Sequence, residues 1–300
     1  MPSTGAPAPA PAPAPPSPPA PKQQAAIVRA LVATITGIGQ GPIVFIREAG
    51  RHLLFLLSTL YWMPRRPFRF SQLLRHLRDV GFGSLFIVVL TGFFTGLVFG
   101  FQMLQAFRRF GAEALVGPAT LLTLSRELGP VLTGLMVAGR SGSGMATELG
   151  TMRVTEQIDA MSTLAVEPMQ YLVVPRVIAA TVMMPLLTAI FSATGFFGCY
   201  LIGVGREGID PGVFFYETWL ALDPDDFYEG WIKAAFFGAE IAIIASYQGF
   251  TASGGARGVG EAATRAVVLS SVLILVSTYV LAELLDPLIH SYIAFDALPK

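Results

Sequence analysis

The sequence predicts an all-α, polytopic membrane protein with five transmembrane helices preceded by an amphipathic interfacial helix. Of the 300 residues, 53% are hydrophobic and only 13% are charged, whereas soluble domains carry about 25% charged residues. Uncharged runs long enough to cross a bilayer recur along the chain. Twenty Lys and Arg balance twenty Asp and Glu, so the chain has no basic field for nucleic acid. This composition excludes an ordinary soluble enzyme, a disordered protein and a nucleic-acid-binding protein.

Residues 1–21 are almost entirely proline and alanine. Alternating Ala and Pro favours extended polyproline II conformations, which cannot bury a core. The segment has neither a basic start nor an apolar stretch, so it does not resemble a cleavable signal peptide. We predict a disordered tail, and a docking peptide for a partner is the alternative.

Residues 22–78 predict interfacial and elbow helices rather than a further span. The apolar run 53–62 is too short to cross a bilayer, and the run 30–46 is interrupted by three glycines and Pro42. Arginines flank both runs, as expected for a helix lying in the membrane interface. The following basic stretch, 63–79, would form an elbow at the headgroups. The sequence leaves open whether 30–62 spans the membrane or lies in the interface.

The transmembrane permease domain is predicted at 79–290. Three spans are free of charge, and they lie between Asp79 and Arg108, between Arg176 and Arg206, and between Arg265 and Glu283. Two further spans contain charges. They lie at about 118–139, with Arg126 and Glu127, and at about 230–250, with Lys233 and Glu240.

The loop charges predict a cytoplasmic N-terminus. Nine of the twenty Lys and Arg precede the first span, whereas the loop 206–229 holds one Arg and seven acids. The positive-inside rule places the basic side in the cytoplasm. The pair Arg108 and Arg109 falls on the outer side and counts weakly against this orientation.

The chain lacks the residues of several catalytic and metal sites. A P-loop needs Gly-Lys followed by Ser or Thr, and none of the three lysines, Lys22, Lys233 and Lys300, has that context. Any energy from ATP must therefore come from a partner. The single cysteine, Cys199, and the spacing of the three histidines exclude a disulfide framework and the common metal sites. We predict no catalytic residue and no metal ligand in this chain.

The sequence Gly139-Arg140-Ser141-Gly142 matches the motif of rhomboid-type intramembrane proteases. Such a serine needs a histidine on a neighbouring span, but His290 is predicted on the opposite side of the membrane. We therefore interpret this segment as a small-residue packing site.

Gly92, Gly96 and Gly100 form two overlapping GxxxG steps on one face of the first span. Such a face allows another helix to approach closely. Packing within the chain is favoured, and a dimer seam is the alternative.

Charges inside a span are costly and usually face a cavity or a partner. Arg126 and Glu127 are adjacent, so their side chains point in different directions from the helix. Two interpretations stay open for them: they line a substrate cavity, or they form an interhelical polar lock. Glu240 lies on one helical face with Lys233, and there the lock is favoured.

A short cytoplasmic helix is predicted at about 150–167. Ile158, Met161 and Leu164 recur at helical spacing beside polar and acidic residues, and Pro168 ends the pattern. Such a helix could be gripped by a motor subunit. The alternative is a helix that lies on its own bundle.

The run from Ser125 to Arg176 resembles the MlaE/YrbE permease family. The similarity is carried by SRELGP, GRSGSG, TEQIDAM and VEPMQYLVVPR, and extends over roughly residues 40–285. It implies the membrane subunit of an ABC transporter that works with MCE-domain proteins.

The resemblance implies a homodimeric permease in the bacterial inner membrane, bound to two cytoplasmic ATPases that hold ATP and Mg. It also implies an MCE ring on the outer face and often a small STAS-domain protein. The complex would move phospholipid, or in some lineages sterol, and maintain membrane lipid asymmetry. Arg126 and Glu127 would line the lipid cavity. The ATPase would contact Thr155, Glu156, Gln157, Ile158, Asp159, Ala160 and Met161. An ion-coupled secondary transporter that uses Glu127 and Glu240 is the alternative.

Overall fold

The computed structural model describes residues 43, 46–65 and 70–296. The chain divides into two compact units, 1–51 and 52–300. In the first unit, residues 46–51 are helical. The predicted tail, 1–21, lies outside the described residues, as does most of the segment 22–45.

The described part of the second unit consists of helices joined by short connections, and no strand occurs in 52–65 or 70–296. This confirms the all-α prediction. We label the helices in chain order: α1 (52–62), α2 (Phe70–Arg108), α3 (Glu113–Val154), α4 (Gln157–Thr163), α5 (Met169–Arg206), α6 (Pro211–Ala221), α7 (Pro224–Phe250) and α8 (Gly255–Asp296).

Four of the described helices are long and apolar enough to cross a membrane: Phe70–Arg108, Glu113–Val154, Met169–Arg206 and Gly255–Leu285. They contain four of the five predicted spans and indicate a multi-pass membrane protein. The remaining predicted span, 230–250, lies in α7, which is helical over 27 residues but carries five charged side chains. The five-span count therefore stays a prediction.

A core of branched aliphatic and aromatic side chains joins the long helices. Val88 of α2, Leu124 of α3, Phe191 of α5, Phe237 of α7 and Ile274 of α8 are completely buried in it. Because each long helix contributes to this core, their relative positions fix the polar side chains described below.

The glycine face of α2 packs against α5. A Cβ atom at Gly92 would lie 2.6 Å from Thr194 Oγ1, and one at Gly96 would overlap the backbone of Gly195. At Gly100 the added atom would lie 2.9 Å from Cys199 Sγ. All three glycines are buried. The helix axes can approach this closely only because the side chains are absent.

Proline and aspartate residues define the start of α7. Pro224 occupies the first turn of α7, where its missing N–H costs nothing. Asp223 and Asp226 form a reciprocal capping box, with the Asp223 backbone N–H donating to Asp226 Oδ2 at 3.1 Å. This cap fixes the first turn of α7, which carries part of the site.

Candidate functional site: a charge cluster between α3 and α7

A π-helical turn in α3, Leu124–Leu128, carries Arg126 and Glu127. Pro130 follows closely and has no backbone N–H, so the Arg126 carbonyl oxygen lacks its usual helical donor. Lys233 of α7 supplies one, with Nζ 3.4 Å from that oxygen. Gly230 allows this approach, because a Cβ there would overlap the Ser125 carbonyl oxygen. The π turn and the glycine together bring α7 against the charged residues of α3.

The charged side chains form one continuous chain of ion pairs. Arg126 Nε and Nη2 lie 2.8 and 2.7 Å from Glu229 Oε2, and Arg126 Nη1 lies 3.5 Å from Asp226 Oδ1. Glu229 Oε1 lies 2.7 Å from Lys233 Nζ, which is 2.6 Å from Glu127 Oε1. Two cations and three carboxylates alternate along this cluster, which leaves one net negative charge.

The cluster has a buried interior and an accessible edge. The side chains of Lys233 and Glu229 are 1% and 4% exposed, whereas those of Arg126 and Glu127 are 30% and 42% exposed. Unpaired charges in the interior would be costly, and each buried group has partners of opposite charge. The accessible edge presents one guanidinium and one carboxylate to a ligand.

An apolar groove of about 260 Å³ is lined by residues that neighbour the cluster in the sequence, although none of the five charged residues lines it. It lies among α3, α5 and α7, and its lining includes Ser125, Thr188, Ser192, Phe196, Phe227 and Trp231. Ser125 precedes Arg126 in the π turn, and Phe227 and Trp231 flank Glu229 along α7. A polar edge beside aromatic and aliphatic walls is suited to an amphiphilic molecule.

Asp226 and Glu229 were not predicted as site residues. In the sequence they are two of seven acids in a loop and its borders, and they resemble solvated charges. The spacing of Asp226, Glu229 and Lys233 does place them on one helical face. This shared helical face is the sequence feature that could have identified Asp226 and Glu229 as site residues.

Glu240 does not join this cluster. Its two carboxylate oxygens accept from Ser277 Oγ of α8, at 3.0 and 3.2 Å. Lys233, which shares its helical face, instead contacts Glu127 and Glu229. The two groups of the alternative ion-coupled mechanism, Glu127 and Glu240, therefore have separate partners.

The predicted cytoplasmic helix is broken into two parts. α3 continues to Val154, and α4 begins at Gln157 after Glu156, whose φ of 60° is left-handed. α4 ends before Pro168 in a Schellman motif, in which the Val166 N–H donates to the Met161 carbonyl oxygen at 3.0 Å. The left-handed residue of that motif is Ala165, with φ of 56°.

α4 is anchored mainly by one apolar side chain, and most of its other side chains are exposed. Ile158 is buried beside Leu149 and Leu172. Thr155, Glu156, Gln157, Asp159 and Ala160 are exposed, and Met161 is partly buried. Asp159 Oδ1 accepts from Arg153 Nη1 at 2.5 Å. An exposed polar face on a short anchored helix is suited to contact with another protein.

Arg176 ties together the two helices that hold α4. Its guanidinium is 1% exposed, with Nη2 2.7 Å from Glu148 Oε2 of α3 and Nη1 2.6 Å from the Leu172 carbonyl oxygen of α5. Because α3 and α5 lead into and out of α4, this contact joins the two long helices close to α4. Sequence reasoning did not identify Arg176, since it stood at a span boundary like other arginines.

The small-residue segment around Ser141 contains a second π turn, Ala138–Gly142. Ser141 is buried, and its Oγ lies 3.0 Å from Ser84 Oγ of α2. The side chain of His290, the proposed activating base of a protease, lies outside the described residues. In the part of the chain that is described, Ser141 contributes to the contact between α2 and α3.

Comparison with known proteins identifies the family. The model of the family "Permease MlaE" matches residues 73–284. A probable ABC transporter permease protein of Rickettsia bellii is 43% identical over 254 residues, which cover 85% of this chain and 98% of the relative. The intermembrane phospholipid transport system permease protein MlaE of Haemophilus influenzae is 34% identical over 256 residues, which also cover 85% of this chain and 98% of the relative. The resemblance read from SRELGP and TEQIDAM is thereby confirmed, and the chain belongs to the MlaE permease family.

Proposed function

We propose that this chain is the membrane permease of an ABC transporter that moves phospholipid between two membranes. The observation that carries the proposal is the accessible edge of the charge cluster beside an apolar groove. Arg126 offers a guanidinium to a lipid phosphate, and Glu127 offers a carboxylate to an amine where the headgroup has one. The groove offers apolar walls to acyl chains. Membership of a family with a named phospholipid permease supports the same substrate class.

The ATP-hydrolysing subunit is a separate protein in this proposal. None of the lysines has the context of a P-loop, and relatives are named as permeases of ABC transporters. We propose that two cytoplasmic ATPases, which bind ATP and Mg, contact the exposed face of α4 from Thr155 to Met161. The Arg176 contact then transmits their movement to α3 and α5. An ion-coupled secondary transporter is not favoured, because relatives are named as ABC transporter permeases.

The finer architecture is also part of the proposal. The permease forms a homodimer in the bacterial inner membrane, with α7 as the fifth span and the N-terminus in the cytoplasm. An MCE-domain ring on the outer face exchanges lipid with the dimer, and a STAS-domain protein binds the ATPase. Closure of the groove, driven by the ATPases, would pass lipid to or from the MCE ring and so maintain lipid asymmetry.

The test is lipid transfer by the reconstituted complex of permease, ATPase and MCE protein. Labelled phospholipid should move between donor and acceptor vesicles only with ATP. A photocrosslinking residue at position 126 or 127 should form an adduct with phospholipid, and one at position 206, at the far end of α5, serves as the control. If the complex hydrolyses ATP without moving lipid, and neither site position forms an adduct, the proposal is wrong.

A further inference from the structure

The first turns of α2 present a basic face that none of the roles above uses. The residues on this face share helical spacing and exposure: Ser71, Leu74, Arg75, Arg78, Phe82 and Phe86. Phe82 and Phe86 are each 77% exposed. The other side of the same turns, with His76, Val80 and Ser84, is buried against the helical core.

Arg140 of α3 completes this face. Its guanidinium lies flat against α2 at Gly83 and donates from Nη1 to the Asp79 carbonyl oxygen at 3.3 Å. A Cβ atom at Gly83 would overlap the guanidinium. The glycine therefore lets a cation from a second helix lie beside Arg78.

Two adjoining open cavities, of about 560 and about 540 Å³, share Arg78 and Asp79. Arg140 and Phe82 line the first, and Arg75 lines the second. Within the described residues, none of these three arginines is in a salt bridge. Together the two cavities are lined by three arginines and one acid, Asp79, which gives two net positive charges.

We propose that these two cavities, which we call the arginine groove, hold a resident anionic phospholipid. Its phosphate lies among the three arginines, and its acyl chains lie along Phe82 and Phe86. Guanidinium groups bind phosphate oxygens in pairs and at short range. The two phenylalanines continue from the arginines into the uncharged run that begins at Val80, where a bilayer places its hydrocarbon. A free phosphate would gain nothing from them, so the arrangement favours a lipid over a soluble anion.

This site is distinct from the charge cluster. Arg140 follows Arg126 by about four turns of α3, which is roughly 20 Å along the helix axis. The resident lipid therefore lies towards the opposite end of α3 from the proposed cargo. With the proposed orientation, it belongs to the cytoplasmic leaflet. The site does not depend on transport, so it can be tested separately.

The first experiment measures retained lipid. The full-length protein is placed in nanodiscs of phosphatidylcholine, with or without phosphatidylglycerol, and bound lipids are counted by native mass spectrometry. The wild type should retain phosphatidylglycerol in preference to phosphatidylcholine. Arg78→Gln should weaken that preference about fivefold, and Arg78→Gln with Arg140→Gln should abolish most of it. Equal retention by wild type and double variant would overturn the proposal.

Matched variants distinguish a specific lipid site from a general attraction between positive charge and anionic lipid. Arg257 in α8 is 91% exposed, and Arg257→Gln removes the same charge without touching the groove. It should leave the preference unchanged, and an equal loss would show a non-specific effect and overturn the proposal. Gly83→Ala displaces Arg140 without changing any charge. It should lower the preference while the protein remains folded, because only the end of a flexible side chain must move.

The second experiment distinguishes lipid from a soluble anion. A benzoylphenylalanine in place of Phe82 should crosslink to phosphatidylglycerol in the nanodisc, and excess inorganic phosphate should not reduce the yield. Loss of the adduct in the presence of inorganic phosphate, or an adduct only with phosphatidylcholine, would overturn the assignment. ATP-driven lipid transfer is not part of either readout, so failure here leaves the proposed transport function standing.

Discussion

Substitution of Arg126 and of Glu229 should separate ligand binding from structural support in the charge cluster. Arg126→Ala removes two short contacts to Glu229, but Glu229 keeps Lys233 at 2.7 Å. The most buried carboxylate of the cluster therefore keeps a cationic partner. The expected cost is therefore that of hydrogen bonds to a charged group, about 1.5–3 kcal/mol. It should be smaller than the loss of a whole buried ion pair.

Glu229→Gln should lower the free energy of unfolding more than Arg126→Ala does. Glu229 is the only carboxylate that contacts both cations of the cluster at less than 3 Å. Without its charge, Lys233 loses one of its two carboxylate partners, and Arg126 loses its short ionic contacts to Glu229. Since Lys233 is 1% exposed, water cannot replace the lost partner. We expect the free energy of unfolding to fall by about 3–5 kcal/mol, the usual effect of breaking a buried ion pair.

An exposed arginine of similar contacts serves as the matched control. Arg108 lies 2.9 Å from both Glu113 and Glu207, but its side chain is 51% exposed. Arg108→Ala should lower the melting temperature least of the three, because water replaces the lost partners.

The assay combines thermal melting of the purified variants with crosslinking to labelled phospholipid. The expected order of destabilisation is Glu229→Gln, then Arg126→Ala, then Arg108→Ala. Arg126→Ala should lose most of its lipid adduct while it still assembles. If Arg126→Ala instead melts as low as Glu229→Gln and keeps its lipid, Arg126 is part of a structural lock and the proposed lipid contact is wrong.

Two other predictions concern coupling and topology. Glu156→Lys or Asp159→Lys should lower ATPase copurification and lipid-dependent ATP hydrolysis while the chain still inserts, and full assembly and turnover in both would remove α4 from the motor interface. In a Cys199→Ser background, a cysteine at Asp225 should react with a membrane-impermeant thiol reagent from outside, whereas one at Ala160 should not. The reverse labelling pattern would invert the proposed orientation.

The sequence predicted the helical spans because their signal is local. An apolar run carries its own evidence for burial in lipid, and four of the described helices contain predicted spans, three of them free of charge. The positions at which these helices begin and end were harder to predict. α2 begins at Phe70, well before the uncharged run, because Arg75 and Arg78 lie on its exposed face and do not interrupt the helix.

The site was harder to predict because its signal is not local. Arg126, Glu127 and Lys233 were conspicuous as charges among apolar residues, but Glu229 stood among other acids. What distinguishes Glu229 is that Gly230 lets α7 approach the π turn of α3. That approach depends on residues more than 100 positions apart in the chain, and no periodicity within either helix reveals it.

The glycine face of α2 offers a test of this long-range packing. At Gly96 the obstacle to a side chain is the backbone of Gly195, which no rotamer change can move, so Gly96→Ala must push α2 away from α5. We expect a loss of about 1–3 kcal/mol or more, seen as a lower melting temperature. Gly139→Ala is the control, because its added Cβ meets nothing within 4 Å, and it should be neutral or slightly stabilising. A Gly96→Ala protein that melts like the wild type but no longer forms a dimer would assign this face to the seam between two copies.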